Sequence, residues 1–341
     1  MKTAVDSTPR DFTYIKPRKA RLSEYEAVNC FAQPDPEVLG PEGWFLRTAE
    51  GRPLWRRDST RLEYPRWFDF RDPAGLWQRT YVKMQAEQER AVELAVEGGV
   101  SAGVFTDVNP VWLRELLGRH YRVWTYFEYG VFRACSQAQR EALSDTLGGV
   151  FCFEAVDRMR HAQDIILYLM NVEKAVAGFT DGGAKAEWLN EPLYQPARKM
   201  TEEIMALNDW GELAVAVNLV IDPLFSEVGL SQLIRRSAPY HGDSVTPLLV
   251  LCAERDRQRN LAWTVELVKM VTAPELAQCE HNRRTIQAWI TRWSPLALQA
   301  TEALAPVFER VPTKAVQFSD ALRLARESQA GILGQLGFML A

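Results

Sequence analysis

Apolar residues in the later part of this sequence recur at i, i+3, i+4 and i+7, as in Ile286, Trp289, Ile290 and Trp293. That spacing lines one face of a helix and no face of a strand. Trp77, Tyr81, Met84, Ala91, Val92 and Ala95 repeat the helical period nearer the start, and Phe318, Leu322, Ala325, Ile332 and Leu336 repeat it at the end. The run from Pro247 to Ala253 is continuously apolar, but its helical neighbours favour a buried helix over a buried strand. The chain therefore reads as all-α.

Punctuation residues set the expected boundaries. Asp72-Pro73 predicts a first helix, with Asp as N-cap and Pro at the first position, stopped by Gly98-Gly99. Asn109-Pro110 predicts a second, running to about Leu147 with candidate bends at Gly118 and Gly130. A third extends from about Val150 to Ala177, closed by Gly178, and Pro295 is expected to end the helix that carries Ile286 to Trp293. Residues 1–65 look different. Prolines at 9, 17, 34, 36, 41, 53 and 65 alternate with the anchors Phe12, Tyr14, Tyr25, Phe31, Trp44 and Trp55 and a basic cluster of Lys16, Arg18, Lys19 and Arg21. Such a segment is an extended arm, too aromatic for free disorder. The expected division is an arm over 1–65 and a helical domain over 66–341.

Composition excludes several function classes. With 40 basic and 44 acidic residues the net charge is −4, which gives no field for nucleic acid. No leader-like apolar segment opens the chain, and no apolar run reaches the length of a membrane span, since Leu213 to Ile221 is interrupted by Asn218 and ends at Asp222. The cysteines at 30, 135, 152, 252 and 279 are scattered and odd in number, which predicts reduced, buried thiols in a cytoplasmic protein. Eleven tryptophans and ten tyrosines suit either an aromatic-rich core or a large permanent interface.

A large helical bundle raises the question of a carboxylate-bridged di-iron centre, which needs two Glu-x-x-His pairs to aim carboxylate and imidazole at one metal pair. The residues three before the four histidines are Leu117, Arg158, Ala238 and Gln278, so no such pair exists. Asp157, His161 and Asp164 share a helical face and form a weak candidate metal set, or an ionic cluster with Arg158 and Arg160. Nucleophile elbows, Walker loops and dinucleotide fingerprints are missing.

Particular segments are nonetheless characteristic. Pro17-Arg18-Lys19-Ala20-Arg21 through Tyr25 to Val28, then Phe31 to Pro34, resembles the N-terminal arm of the β subunits of soluble methane-type monooxygenases. Phe70-Arg71-Asp72-Pro73 with Trp77 and Tyr81-Val82-Lys83, the stretch Phe127-Glu128-Tyr129-Gly130-Val131-Phe132, Ser136-Gln137, Arg140 to Asp145, and Lys185 to Trp188 with Tyr194 and Ala197-Arg198 continue the match. The resemblance implies a ferritin-like, ribonucleotide-reductase-like fold and a subunit that carries no metal. The shorter chain resembles the alkene (propene or ethene) branch. Implied partners are a catalytic α subunit with the di-iron centre, a coupling protein, and an NADH-dependent reductase with FAD and [2Fe-2S]. The prolines, basic cluster and spaced aromatics of the arm suit a segment lying across the catalytic subunit or around its own helices, and the candidate partner-facing residues are Tyr14, Arg18, Arg21, Tyr25, Trp44, Trp67, Arg71, Trp77 and Tyr81. In Glu128-Tyr129-Gly130-Val131 and Glu254-Arg255-Asp256-Arg257, Val and Arg stand where a ligating helix needs His, and an arginine there would replace metal charge with ion pairs. Two other readings stay open from the residues alone: an independently active metal-dependent oxidoreductase, and a helical interaction protein.

Overall fold

The computed structural model describes residues 21–31, 49–51 and 56–340. Its helices in chain order are α1 (Gln78–Ser101), the short α2 (Val104–Asp107), α3 (Arg122–Glu141), α4 (Asp145–Ala175), α5 (Ala184–Asn190), α6 (Gln195–Met205), α7 (Trp210–Ala214), α8 (Thr246–Val271), α9 (Cys279–Glu302), α10 (Ala305–Arg310) and α11 (Phe318–Gln335). A wider, π-wound stretch, Trp112–Tyr121, leads into α3, and another, Val215–Arg235, extends α7 into one long rod. The described residues contain no strand, and the apolar run Pro247 to Ala253 opens α8. α3 and α4 form the most extensive pair, while Val215–Arg235 is the axial helix, flanked by α8, α9 and α11.

Local chemistry explains where the boundaries depart from the sequence reading. Asp72 does not start a helix. Its carboxylate accepts from Ala74 N at 2.9 Å and Leu76 N at 3.2 Å, and Gly75 sits at φ +58, which closes a turn and delays α1 to Gln78. Gly98 and Gly99 stay helical, Gly99 lying flat against Phe105 and Val245; the break comes at Gly103, φ +69. The expected helix from Asn109 to Leu147 begins as read, Asn109 Oδ1 accepting from Val111 N and Trp112 N, but splits at Ala142 because Ser144 caps a new helix by accepting from Leu147 N. Pro295 lies inside α9, where the Ser294 hydroxyl bonds the Ile290 carbonyl, and the helix continues to Glu302.

Trp210–His241 is long and apolar enough to cross a membrane by length and composition, yet 89% of its apolar 18-residue window is buried in the bundle. Its apolarity on every side is that of a central core helix. Cys152 is exposed, whereas Cys135 and Cys252 are buried. Residues 59, 60 and 62 are also buried, with Glu63 N donating to Asn282 Oδ1 at 2.9 Å. The packed body thus includes residues placed in the arm by sequence.

Candidate functional site

The bundle centre is set by α4, whose residues Glu154, Asp157, Arg158 and His161 project from one face at i, i+3, i+4 and i+7. All four are at most 3% exposed. Charges in such a place persist only when paired. Arg158 meets three carboxylates from three helices: Nη1 lies 3.4 Å from Glu128 Oε2 of α3, Nη2 lies 3.3 Å from Glu154 Oε1, and both donate to Asp222 of the axial helix. The remaining oxygens are also occupied. Trp124 Nε1 and His161 Nδ1 lie 3.2 and 3.0 Å from Glu128 Oε1, Asn218 Nδ2 donates to Glu154 Oε2 at 3.0 Å, and the Ser226 hydroxyl donates to Asp222 at 2.7 Å.

Electrostatics follow from this arrangement. Burial alone would raise the Glu128 carboxyl, but His161 and Arg158 beside it hold it down at about 2. Burial works against charge on Arg158, yet Asp222, Glu128 and Glu154 push its pKa well above the arginine range. Glu154 is raised, burial outweighing its contact with Arg158. A second cluster sits one turn away. Asp157 accepts from Tyr81 Oη at 2.8 Å, Gln85 Nε2 at 3.0 Å, Asn260 and Arg259. Asp256 accepts from Gln85, Arg259 and Arg160, the last also holding Asp164 at 2.8 Å. Burial and the nearby Asp256 push Asp157 up to about 7, while Arg160 and Arg259 overcome burial to keep Asp256 below the usual carboxylate range.

A cavity of about 10 Å³ remains between Glu128, Asp157, Arg158, His161 and Arg257. That is room for at most a single water, not for a substrate. The donor set also fails to match a di-iron centre. One histidine reaches the centre, and guanidinium groups stand among the carboxylates. Among the described residues no group of three or more His, Cys, Asp or Glu is arranged to hold a metal. Asp157, His161 and Asp164 do not converge, because each bonds a different partner: Arg259, Glu128 and Arg160. Of the two segments read as altered ligand helices, Glu128 and Arg257 do face one cavity, but Glu254 turns away to Arg235 at 3.0 Å.

The residues singled out as partner-facing are dispersed. Tyr14, Arg18 and Trp44 lie outside the described residues. Arg21 is exposed. Tyr25 is buried, its hydroxyl accepting from Asp72 N at 2.9 Å, and Asn29 donates to Leu76 O, so this piece of the arm is tied to its own body. Tyr81 is buried on Phe153 and Asp157. Trp67 stacks edge-on against Trp210, Arg71 bonds the carbonyls of Phe68 and Phe70, and Trp77 is partly exposed at the start of α1. Sequence reading gave Arg158 only a supporting place and passed over Glu154. The available signal was Asp222 inside an otherwise apolar run, since a carboxylate there demands a buried cation.

The fold and its centre define a ferritin-like helical protein whose interior is closed by ion pairs and not equipped for two metals. The profile of the methane/phenol/alkene hydroxylases matches residues 44–275, and the chain belongs to this family. Within it the chain aligns with small or β subunits. It is 30% identical over 332 residues to the small subunit of the hydroxylase component of propane 2-monooxygenase from Mycolicibacterium goodii, covering 97% of this chain and 89% of that one. It is 32% identical over 306 residues to the methane monooxygenase component A beta chain of Methylococcus capsulatus, covering 88% and 79%. A chain of toluene 4-monooxygenase superposes with TM-score 0.74 at 25% identity, covering 84% and 94%. A chain of phenol hydroxylase from Pseudomonas sp. OX1 shares the fold, with TM-score 0.79 over 99% and 98%.

Proposed function

We propose that this chain is the non-catalytic subunit of the hydroxylase component of a di-iron hydrocarbon monooxygenase, and that it acts by supporting a catalytic α subunit in the cytoplasm. The observation that carries the reading is an apolar stripe on the outer face of α4. Cys152, Val156, Met159, Gln163, Ile166 and Met170 follow one another at intervals of four and three, with Leu167 alongside. Val156, Leu167 and Met170 are 44, 58 and 45% exposed. A seam with this spacing is what a second helical subunit buries. The names of the aligned relatives, each a subunit of a larger component, agree with it.

In this reading the di-iron centre resides in the partner. A coupling protein and an NADH-dependent reductase carrying FAD and [2Fe-2S] complete the system, which inserts one oxygen atom into a small alkene or alkane. Alkene epoxidation is the finer proposal; the relatives act on propane and methane by name. The arm, through Tyr14, Arg18, Arg21 and Trp44, together with Trp67, Arg71 and Trp77, extends the contact, while Tyr25 fixes its root to this chain and Tyr81 packs inside the body. The test compares the purified chain, the α subunit and the co-expressed pair, assayed for iron and for oxidation of propene, propane and methane with reductase and coupling protein. Activity and iron should track the α subunit, with turnover needing both. Stoichiometric iron in this chain alone, or full turnover without it, refutes the proposal.

A further inference from the structure

His161 of α4 and Arg257 of α8 line the central cavity from opposite helices. His161 is 3% exposed, and its Nδ1 is engaged with Glu128 Oε1 at 3.0 Å. Its Nε2 is buried, as are Nη1 and Nη2 of Arg257, and among the described residues none of these three atoms has a hydrogen-bond partner. Buried polar atoms of native proteins are almost always satisfied, because leaving one unmade costs its full desolvation. The group that answers these atoms is constrained from both walls. Arg257 has donors only and asks for an acceptor. Nε2 presents a lone pair in the neutral ring and a donor in the charged one. A cation placed here would face the Arg257 guanidinium, and an anion would face the Glu128 carboxylate, in the same small space. A neutral group that both donates and accepts suits every wall. The volume of about 10 Å³ is that of one water molecule and nothing larger.

We propose that the bundle centre is a binding site for one internal water molecule, which accepts from Arg257 and is hydrogen-bonded to His161 Nε2, and so bridges α8 to α4. Glu128 Oε2, paired among the described residues only with Arg158 Nη1 at 3.4 Å, is the acceptor for a remaining hydrogen. Asp157 and Asp256 line the same cavity, so the water sits between the two ionic clusters and joins them. The inference rests on the side chains of this chain and is independent of any partner subunit.

Crystallography and solution relaxation on the full chain test this. At a resolution that shows ordered solvent, wild type should have one density peak within hydrogen-bonding distance of both His161 Nε2 and an Arg257 Nη. A bromide soak read by anomalous scattering should leave that peak unlabelled. Magnetic relaxation dispersion of water oxygen counts long-lived internal waters in solution. Ala253 lines the cavity, and Ala253→Val fills it with two methyl groups, so the count should fall by one. The ring-nitrogen resonance of His161 Nε2, assigned by its loss in His161→Gln, should shift in the same variant because it loses its partner. Arg257→Met is the second variant. It should shorten the residence of the water about tenfold or more, as loss of a hydrogen bond to a charged group does. An empty cavity, a peak that touches neither side chain, or bromide at the site overturns the proposal. So does an unchanged count and residence in whichever variant folds; if neither folds, the wild-type density and the bromide soak decide it.

Discussion

Asp157 and Glu128 line the same interior cavity and are displaced in opposite directions. Asp157 is pushed up to about 7 by burial and by Asp256, although Arg259 and Tyr81 pull the other way. An unfolded aspartate titrates near about 3.9. Between those values the folded chain holds a proton that the unfolded chain has released. Its contribution to stability is therefore full below about pH 4 and is lost as pH rises to about 7. Glu128, held at about 2, does the reverse: its contribution is present above the unfolded value of about 4.3 and is lost as pH falls toward 2. We expect Asp157→Asn to abolish a loss on the order of a few kcal/mol between pH 4.5 and 7.5, as read by urea unfolding, while leaving the acid-side loss intact. An unchanged difference between those two pH values in the variant would show that Asp157 is not the titrating group. This paired behaviour was invisible in sequence. Asp157 and His161 stood out by spacing, but what sets their charge comes from Asp256, Arg259 and Glu128 on other helices, and helical period says nothing about which helix will face which.

Element identity was legible and element ends were less so. The apolar periods marked α1, α9 and α11 because burial of one face is what those helices exist to satisfy, while α8 was read from a continuous apolar run. Ends depend on single hydrogen bonds that compete with the helix. Asp72 uses its carboxylate to make a turn, Ser144 starts a helix inside what reads as one segment, and Gly99 is small for packing reasons and not for stopping. The segment before α1 shows the same dependence over a longer range. Asn282, fully buried on α9, accepts from Glu63 N and donates to Glu63 O and Val271 O at 2.9, 2.9 and 2.7 Å, so one side chain sews the 56–64 segment to the ends of α8 and α9. Replacing it with alanine strands buried backbone groups, each costing about 1–3 kcal/mol. Asn282→Ala should destabilise by about 2–3 kcal/mol with an unchanged denaturant slope. A loss under about 0.5 kcal/mol would mean that water replaces the amide and that the segment is held by its apolar contacts alone.

At the scale of the whole molecule the question is why a bundle with so complete a core keeps apolar side chains outside it. Large aromatic groups account for much of the interior: Trp112, Trp210, Trp263, Trp289 and Trp293 are fully buried. The aromatic richness that sequence left open between core and interface is thus spent largely on the core. The outer face of α4 is a separate feature, and it was not legible beforehand because the helix is apolar on both sides. Only the packing of α3 and α8 against one side reveals the other as uncovered. α1 adds Val82 and Leu94, each more than half exposed, and packs on α4 and α8 through the stripe of Tyr81, Gln85, Val92 and Val96. Charges placed on the outer seam should therefore leave the isolated fold alone and act on assembly. We expect Val156→Asp with Met170→Asp to change the stability of the isolated chain by no more than about 0.5 kcal/mol, as for exposed positions generally. At a desolvated interface the same charges should weaken association with the α subunit by at least tenfold, about 1.4 kcal/mol or more. Thermal melts of the chain alone and gel-filtration titration against the α subunit measure the two effects separately. A variant that melts normally and still assembles at wild-type affinity would place the docking surface elsewhere, while a variant that unfolds on its own would show the seam to be part of this chain's own core.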